Sequence, residues 1–284
     1  MNLKYNRSTI SFNFFLRFSF VFSILATTLV KVEAQRHEFG FFFGGSYYIG
    51  DLNPTRQFAM TRIAVGGLYR YNINEHLALR ANGFWGTVAG DDAVVQYNTN
   101  RNLHFRTNVM ELSGQAEVNF LRFTPGDLET PYTPYIFAGG GVFRFNPQAE
   151  IDGQWYDLKP LNTEGQGSEL YPDRKPYSLN SHNFLFGIGY KFNITRQFTG
   201  ALEWGMRRTG TDYLDDVSTT YPDPDVFMGD TRALELYDRS LENRGENIGF
   251  QRGNPNTNDW YSFAGIVLTF RIKNFSRHRC PAYN

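Results

Sequence analysis

The sequence predicts an all-β protein: an eight-stranded antiparallel transmembrane β-barrel with short periplasmic turns and long extracellular loops. Three observations favour this fold class. The N-terminal segment is organised like a secretory signal peptide, eight later segments alternate between apolar and polar side chains, and the connections between them alternate between short and long. This combination is typical of small barrels of the bacterial outer membrane.

Residues 1–34 have the features of a signal peptide. Lys4, Arg7 and Arg17 precede an apolar run over 18–30, and small side chains at positions 32 and 34 suit cleavage before Gln35. The apolar run is too short to span a bilayer, which requires about 20 residues. The chain is therefore expected to reach the bacterial outer membrane through the Sec route. No later apolar run could form a membrane helix, so only a closed barrel could hold the mature chain in a membrane.

Composition limits the class of function. The 284 residues include 28 basic and 28 acidic side chains, and this balance argues against a nucleic-acid partner. Aromatic residues make up 17% of the chain and there are 27 glycines, although the mean hydropathy is only −0.43. A barrel accounts for these values, because its strands alternate between lipid and lumen. The single cysteine, Cys280, excludes an intramolecular disulfide framework.

The barrel is expected over residues 35–272, followed by a periplasmic C-terminal tail over 273–284. In most strands one face suits lipid and the other a polar lumen. The fourth segment changes phase, with apolar residues on odd positions before Val109 and on even positions after it, which predicts a β-bulge there. The fifth is apolar on both faces, so its sides stay open. The predicted strands are 38–48, 61–71, 76–87, 103–120, 134–145, 183–192, 198–207 and 260–272.

Loop lengths predict the orientation. The connections 72–75, 122–131 and 193–196 are short, whereas 89–102, 146–176 and 210–259 are long. Outer-membrane barrels have short periplasmic turns, and an even number of strands places both termini in the periplasm. The long loops are therefore expected outside the cell.

Charged side chains on the polar faces distinguish this barrel from a soluble one. A soluble barrel of the lipocalin kind is the alternative, but it would enclose its apolar face, and so many charges do not suit a dry core. Eight strands enclose an interior just wide enough for side chains, so the charges are expected to pair as a plug rather than line a pore. The predicted lumen charges are Arg62, Arg80, Glu111, Glu117, Glu203 and Arg207.

No enzyme motif is present, and the chain is predicted to be neither an enzyme nor a cofactor protein. G-x-S-x-G and H-E-x-x-H do not occur, and the glycines at 139–141 lie within a strand pattern. His104 could join a loop Ser or Asp in a hydrolase site, but its spacing identifies no nucleophile, so a polar rim residue is the preferred interpretation. Asp212, Asp215 and Asp216 are a weak calcium candidate in an acidic run that is otherwise expected to be a solvated surface.

Three loop strings carry a family resemblance. They are Gly50-Asp51-Leu52-Asn53, the string from Pro160 to Gly167, and the string from Thr211 to Ser218. Together they resemble the PorG-like outer-membrane barrels of the Bacteroidetes type IX secretion system. Asn162 stands where that family would have a glycine, and asparagine is the best substitute at positive φ. The motif residues are Asp51, Thr163, Glu164, Gln166, Asp212, Tyr213, Asp215 and Asp216.

The resemblance implies a non-enzymatic component of a protein secretion machine. Its expected partners are the lipids of the outer membrane and a periplasmic ring like that of PorK and PorN, docked by the short turns or by the basic tail over 273–284. The alternative is an adhesion or ligand-binding barrel that acts through its extracellular loops.

Overall fold

The computed structural model describes residues 37–271. The predicted signal peptide over 1–34 and the predicted tail over 273–284, with Cys280, lie outside the described residues.

Nine strands account for about half of the described chain. Two short α-helices, α1 (Asp92–Val95) and α2 (Thr231–Leu236), and two 3-10 turns, Lys159–Leu161 and Pro224–Phe227, lie in the connections. None of the helices within 37–271 is long and apolar enough to cross a membrane. The strands are β1 (His37–Ile49), β2 (Arg62–Asn72), β3 (Leu77–Asp91), β4 (His104–Asn119), β5 (Tyr132–Ile151), β6 (Gln154–Asp157), β7 (Asn180–Asn193), β8 (Phe198–Thr209) and β9 (Trp260–Arg271).

Eight of these strands close into an antiparallel barrel. The order runs β4-β3-β2-β1-β9-β8-β7-β5, and pairing of β4 with β5 closes the ring. The short β6 pairs only with β5 and extends it as a hairpin beyond the barrel. The predicted fold class is therefore confirmed: the chain is an all-β, closed, eight-stranded antiparallel barrel.

The connections divide between two rims. The turn rim carries 73–76, 120–131 and 194–197, and the loop rim carries 50–61, 92–103, 152–179 and 210–259. The loop-rim connections are longer on average because they contain all the helices, the 3-10 turns and β6. Short and long connections thus alternate along the chain as the sequence predicted, except that 120–131 on the turn rim is as long as 50–61 and 92–103 on the loop rim, at 12 residues each.

The predicted bulge near Val109 was wrong. β4 pairs in unbroken register with β3, from Leu77 opposite Val118 to Asp91 opposite His104, and its pairing with β5 is equally regular. Odd-numbered residues face the interior along the whole strand, including Phe105 and Val109. The phase of the apolar residues changes because the interior itself changes from polar near the turn rim to apolar near the loop rim.

The two faces of β5 are also resolved by the structure. Tyr135, Phe137, Phe143 and Phe145 are buried, whereas the even positions between them are exposed. Close approach explains the glycine at 139, because a Cβ there would lie 2.0 Å from the Gly114 carbonyl oxygen.

The barrel exterior is an apolar band. Phe41 and Leu112, for example, each expose 68% of their surface. An exposed apolar surface that encircles a barrel is the arrangement that hydrocarbon solvates better than water. Other exposed members are Phe43, Ile63, Val65, Leu79, Met110, Val142, Phe184, Ile188, Leu202 and Ile266.

Candidate functional site: barrel interior and loop cap

A buried carboxylate on β4 organises the interior near the turn rim. Glu117 lies 2.9 Å from Arg70 Nε, 3.1 Å from Arg80 Nη1 and 2.6 Å from Lys191 Nζ. These three cations come from β2, β3 and β7, and all four side chains are buried. One carboxylate thus connects strands from different sides of the barrel.

Two more carboxylates neutralise the same cations. Both terminal nitrogens of Arg80 bond to Glu203, at 2.6 and 2.7 Å, and the Tyr135 hydroxyl donates to Glu203 at 2.7 Å. Arg70 Nη1 lies 3.3 Å from Glu38 on β1. Paired arginine and carboxylate groups with further hydrogen bonds are the form in which charge is tolerated in a barrel interior.

A second network lies closer to the loop rim. Arg207 Nε lies 3.3 Å from Glu111, which also accepts from the Tyr261 hydroxyl at 2.6 Å and from the Asn183 amide at 3.1 Å. The charges buried within the barrel strands of residues 37–271 therefore balance, with four anions and four cations. They are Glu38, Glu111, Glu117, Glu203, Arg70, Arg80, Lys191 and Arg207.

Arg62 differs from its expected place in the lumen. Its side chain is exposed at the loop-rim end of β2, because the strand begins at this residue while β3 continues. The other five predicted lumen charges are buried inside the barrel. Arg70 and Lys191 were missing from the prediction, although the alternation places both on the polar faces of their strands.

Aromatic side chains fill the interior above these networks. The rings of Phe42, Phe84 and Phe263 pack with centroids 5.1 to 6.2 Å apart, and Tyr48 packs edge-on against Phe105 at 4.9 Å. Leu214 and Val217 of the connection 210–259 belong to the same buried cluster. The Thr107 hydroxyl donates to the Leu214 carbonyl oxygen at 2.7 Å. The longest loop thus enters the barrel mouth and covers it.

We call this covering structure the loop cap and define it as residues 50–53, 162–177, 211–221 and 251–259. Glu164 is one centre of it. Its carboxylate accepts from Ser218 N at 2.8 Å and from the Thr219 hydroxyl at 2.7 Å, and Arg252 Nη1 donates to it at 3.0 Å. A single buried carboxylate therefore joins three of the four segments of the cap.

Asp216 is a second centre and also has no access to solvent. It accepts from the Thr163 hydroxyl and, at 2.6 Å, from the Tyr177 hydroxyl, and its backbone carbonyl accepts from Arg252 at 2.6 Å. Burial raises the pKa of Asp216 to about 6, against the opposing effect of Arg252. φ is +67° at Asp216, so this residue also turns the chain.

A third group of carboxyls lies where the cap meets the barrel. The Tyr48 hydroxyl lies within hydrogen-bond distance of both Asp215 and, at 2.9 Å, Asp259, and its single hydrogen can be donated to one of them at a time. Burial raises the pKa of both carboxyls well above the usual range, and repulsion from Asp259 raises the pKa of Asp215 further. Burial also raises the pKa of Asp212 to about 8, and the carboxylates of Asp51 and Glu164 add to this rise.

Arg101 attaches the connection 92–103 to the cap. Its guanidinium bonds to Asp92 at 2.6 and 2.8 Å and donates to the backbone carbonyls of Asp51 and Arg252 at 2.8 and 2.7 Å. The Asp51 carboxylate accepts from Asn254 N at 2.9 Å. All four connections of the loop rim are therefore joined at the barrel mouth.

The three motif strings meet in this cap although they are distant in sequence. Gln166 Oε1 accepts from Glu164 N at 3.1 Å, and Tyr213 stacks on Tyr177 with ring centroids 4.6 Å apart. Asn162 has φ of +47°, the left-handed conformation that asparagine tolerates where a glycine was expected. The motif residues thus hold the loops of the cap together.

The expectation of a solvated surface at Asp212, Asp215 and Asp216 was wrong. All three are buried because their loop folds into the barrel mouth. Within residues 37–271, His, Cys, Asp and Glu side chains form no group of three or more that could hold a metal ion, so the structure gives no support to the weak calcium candidate.

Several cap residues were beyond sequence reasoning. Arg252, Asp259 and Tyr177 stand in stretches with no recognised motif, and Tyr48 occurs in a strand that predicts only alternation. Their roles depend on contacts across 36 to 211 positions, for which no local pattern exists.

His104, the hydrolase candidate, accepts from Glu150 N at 3.0 Å and packs against Trp155.

A comparison with known protein families finds a family model that matches the first half of the chain. A family model described as a domain of unknown function, DUF6089, matches residues 16–162, just over half of the 284 residues. The chain belongs to the DUF6089 family. The match includes the first motif string and the beginning of the second, and no curated protein matches the DUF6089 chain.

Solved structures that resemble this DUF6089 chain include three outer-membrane or surface proteins. Neisserial surface protein A is 10% identical with a TM-score of 0.43, and the match covers 85% of this chain and 100% of that one. OprG of Pseudomonas aeruginosa is 10% identical at 0.39, covering 84% and 98%. The N-terminal barrel domain of OprF from the same organism is 14% identical at 0.35, covering 84% and 100%.

Proposed function

We propose that this DUF6089 protein is a non-enzymatic outer-membrane barrel that anchors the periplasmic ring of a type IX secretion machine. The apolar exterior band supports the membrane location, since only lipid solvates such a surface without cost. The motif strings support the role in secretion. In this proposal the turn rim faces the periplasm and the loop rim faces outward.

The sealed interior is the observation that carries this proposal. Arg70, Lys191 and Arg207 are each 1% exposed inside the barrel, and the loop cap covers the mouth above them. A solute would have to break these ion pairs to pass, and leaving a buried charge unpaired costs about 3 to 5 kcal/mol. Transport through the barrel is therefore disfavoured, and the two rims remain as surfaces for partners.

The backbone of the turn over 120–131 is held by hydrogen bonds to Asn193, which would suit a docking surface. Asn193 donates to the carbonyl oxygens of Thr124 at 3.0 Å and Asp127 at 2.8 Å, and its own side-chain oxygen accepts from Gly126 N at 2.8 Å. The backbone of this turn is thereby fixed to the end of β7. A partner that binds here would not have to order the loop first, which reduces the entropic cost of association.

Apolar side chains stand exposed on the same turn. Leu121 is 46% exposed and Leu128 is 56% exposed. Exposed leucines on a fixed backbone suit a protein partner. We therefore assign the docking of a ring component like PorK or PorN to this turn, with the tail over 273–284 as a second contact.

Affinity purification from membranes tests this assignment. The Leu128→Glu variant and a variant without residues 273–284 are expected to recover less of the ring components than the unaltered chain. Leu170→Glu is the matched control, because Leu170 is 61% exposed on the loop rim. Recovery of no ring component with the unaltered chain, or equal recovery with both Leu variants and the truncated chain, would contradict the proposal.

The outer loops favour a second candidate, an adhesin or ligand-binding barrel. Met228 is 96% exposed, and Leu241 and Phe250 in the same connection are 69% and 67% exposed. These apolar residues are expected to contact a partner if the loop rim binds one. Loss of surface binding in a Met228→Glu, Phe250→Glu variant, with secretion of cargo unchanged, would favour this candidate over the first.

A further inference from the structure

A cleft of about 1070 Å³ lies on the outside of the barrel wall at the loop rim. It forms because β3 continues five residues beyond its last pairing with β2, Ala64 opposite Gly86, and reaches Asp91. Because β2 does not extend beside these last residues of β3, the barrel wall has a notch at this point. The β5–β6 hairpin borders the cleft on the other side with Trp155.

Three arginines line this cleft and none of them has an acidic partner in the described chain. Arg62 is exposed and its guanidinium bonds to no group within residues 37–271. Arg106 bonds to Gln148 at 3.1 Å and lies over the Trp155 ring at 3.8 Å. Arg239 donates to the Glu150 carbonyl oxygen at 2.7 Å. Each retains N–H groups that could bond to an oxyanion.

The cleft is polar but not simply cationic. Asp91, Glu150 and Asp152 also line it, together with His104. The Asp91 carboxylate already accepts from Ala93 N and Val94 N at the start of α1. The carboxylates of Glu150 and Asp152 remain as acceptors for hydroxyl groups. A ligand that matches this lining carries both an anionic group and hydroxyls.

The lower edge of the cleft continues into the apolar band. Ile63 is 63% exposed and Trp85 is 43% exposed, and both line the cleft while facing outward from the barrel. A headgroup in the cleft would therefore leave its acyl chains against the band. This position fits a membrane lipid better than a soluble sugar phosphate.

We propose that the cleft binds the phosphorylated sugar headgroup of a glycolipid in the outer leaflet. The phosphate would bond to Arg62 and Arg106, and the sugar hydroxyls would donate to Glu150 and Asp152. Ile63 and Trp85 would contact the first methylenes of the acyl chains. The inference rests on the membrane location proposed above, but not on the docking of a periplasmic ring.

Native mass spectrometry of the full-length barrel in detergent provides the test, with lipid A, phosphatidylglycerol and inorganic phosphate as probes. Lipid A is expected to bind more tightly than phosphatidylglycerol, which lacks the sugar, and inorganic phosphate is expected not to bind. The Arg62→Gln, Arg106→Gln variant is expected to weaken lipid A binding by about tenfold, because hydrogen bonds to charged groups are lost. Arg208→Gln, at an exposed arginine on β8, is the matched control and is expected to bind normally.

Equal binding of lipid A and phosphatidylglycerol would overturn the inference. So would an equal loss of lipid A binding in the Arg62→Gln, Arg106→Gln variant and in the Arg208→Gln control. Binding of inorganic phosphate alone would also overturn it. The single variant Arg62→Gln keeps the test valid if the double variant does not fold, because Arg62 holds no structural contact through its guanidinium. If the chain does not fractionate with outer membranes in cells, the membrane location itself fails, which is a different result from a membrane barrel that does not select lipid A.

Discussion

Arg252 and Glu164, 88 positions apart, form an ion pair at 3.0 Å that joins two connections of the loop rim. Both side chains are buried in the loop cap, and Glu164 also accepts from the backbone N–H groups of Ser218 and Thr219. The pair therefore holds the cap closed over the barrel mouth.

Glu164→Gln is expected to loosen the cap while leaving the barrel closed. The substitution removes the charge that pairs with Arg252, and a charged hydrogen bond contributes about 1.5 to 3 kcal/mol. Amide hydrogen exchange at Ser218 and Thr219 should accelerate at least about tenfold. Glu169→Gln, at an exposed position in the same connection, should leave these rates unchanged. Equal exchange in the two variants would contradict the assigned role of Glu164.

Glu117→Gln is expected to destabilise the barrel itself. Glu117 faces Arg70, Arg80 and Lys191, so its loss leaves buried cations without their shared partner. Removing one member of a buried ion pair costs about 3 to 5 kcal/mol. This change is measured by unfolding the refolded barrel in urea. The folded fraction is read from the difference in electrophoretic mobility between unheated and heated samples. The control is Glu75→Gln, because the Glu75 carboxylate makes an exposed ion pair at 3.6 Å with Arg122 and its other hydrogen bonds are made by the backbone carbonyl, which the substitution keeps. A Glu117 variant as stable as this control would refute the prediction.

The cap is expected to become less stable as the pH rises from about 4 to about 8. Burial raises the pKa of Asp212 to about 8 and that of Asp216 to about 6, whereas an exposed Asp titrates near 3.9. The closed cap thus binds more protons than the open one within this window, and stability falls wherever the folded state binds more protons.

Hydrogen exchange of the connection 210–259, corrected for the intrinsic effect of pH, measures this dependence. Asp212→Asn should weaken it between about pH 6 and 8, because residue 212 then has no proton to lose there, while the raised pKa values of Asp215 and Asp259 are retained. Asp225→Asn, at an exposed aspartate of the same connection, should retain it. A cap that opens more readily at pH 5 than at pH 8 would show that the sign is wrong.

Gly44→Ala is expected to impair barrel assembly. A Cβ at this position would lie 2.2 Å from the Ala264 carbonyl oxygen and 2.6 Å from Gly265 Cα, so the backbones of β1 and β9 would have to separate. Such overpacking costs about 1 to 3 kcal/mol. Gly114→Ala is the control, since no atom lies within 4 Å of its Cβ position. The yield of folded barrel after refolding from urea compares the two, and equal yields would refute the prediction.

Local alternation was sufficient to predict the barrel. Residues such as Phe41, Phe43 and Leu112 recur at every second position, and a strand can satisfy that pattern only by placing them on one face. Loop lengths then predicted the two rims. The same rule placed Arg80, Glu111, Glu117, Glu203 and Arg207 inside.

Tertiary structure decided which charges meet and which loops close the mouth. The apparent phase change in β4 could not be interpreted from the sequence. Alternation shows which residues share a face, but not whether that face contacts polar or apolar surroundings. Arg62 obeys the alternation and is still exposed, since it is the first residue of β2 and lies at the loop-rim end of the barrel wall. Asp215 and Asp216 appear in an acidic loop, and only the folding of that loop into the barrel mouth buries them against Tyr48 and Arg252. Periodicity is a property of neighbouring residues, whereas the cap depends on partners up to 211 positions away, which only the closed barrel brings into contact.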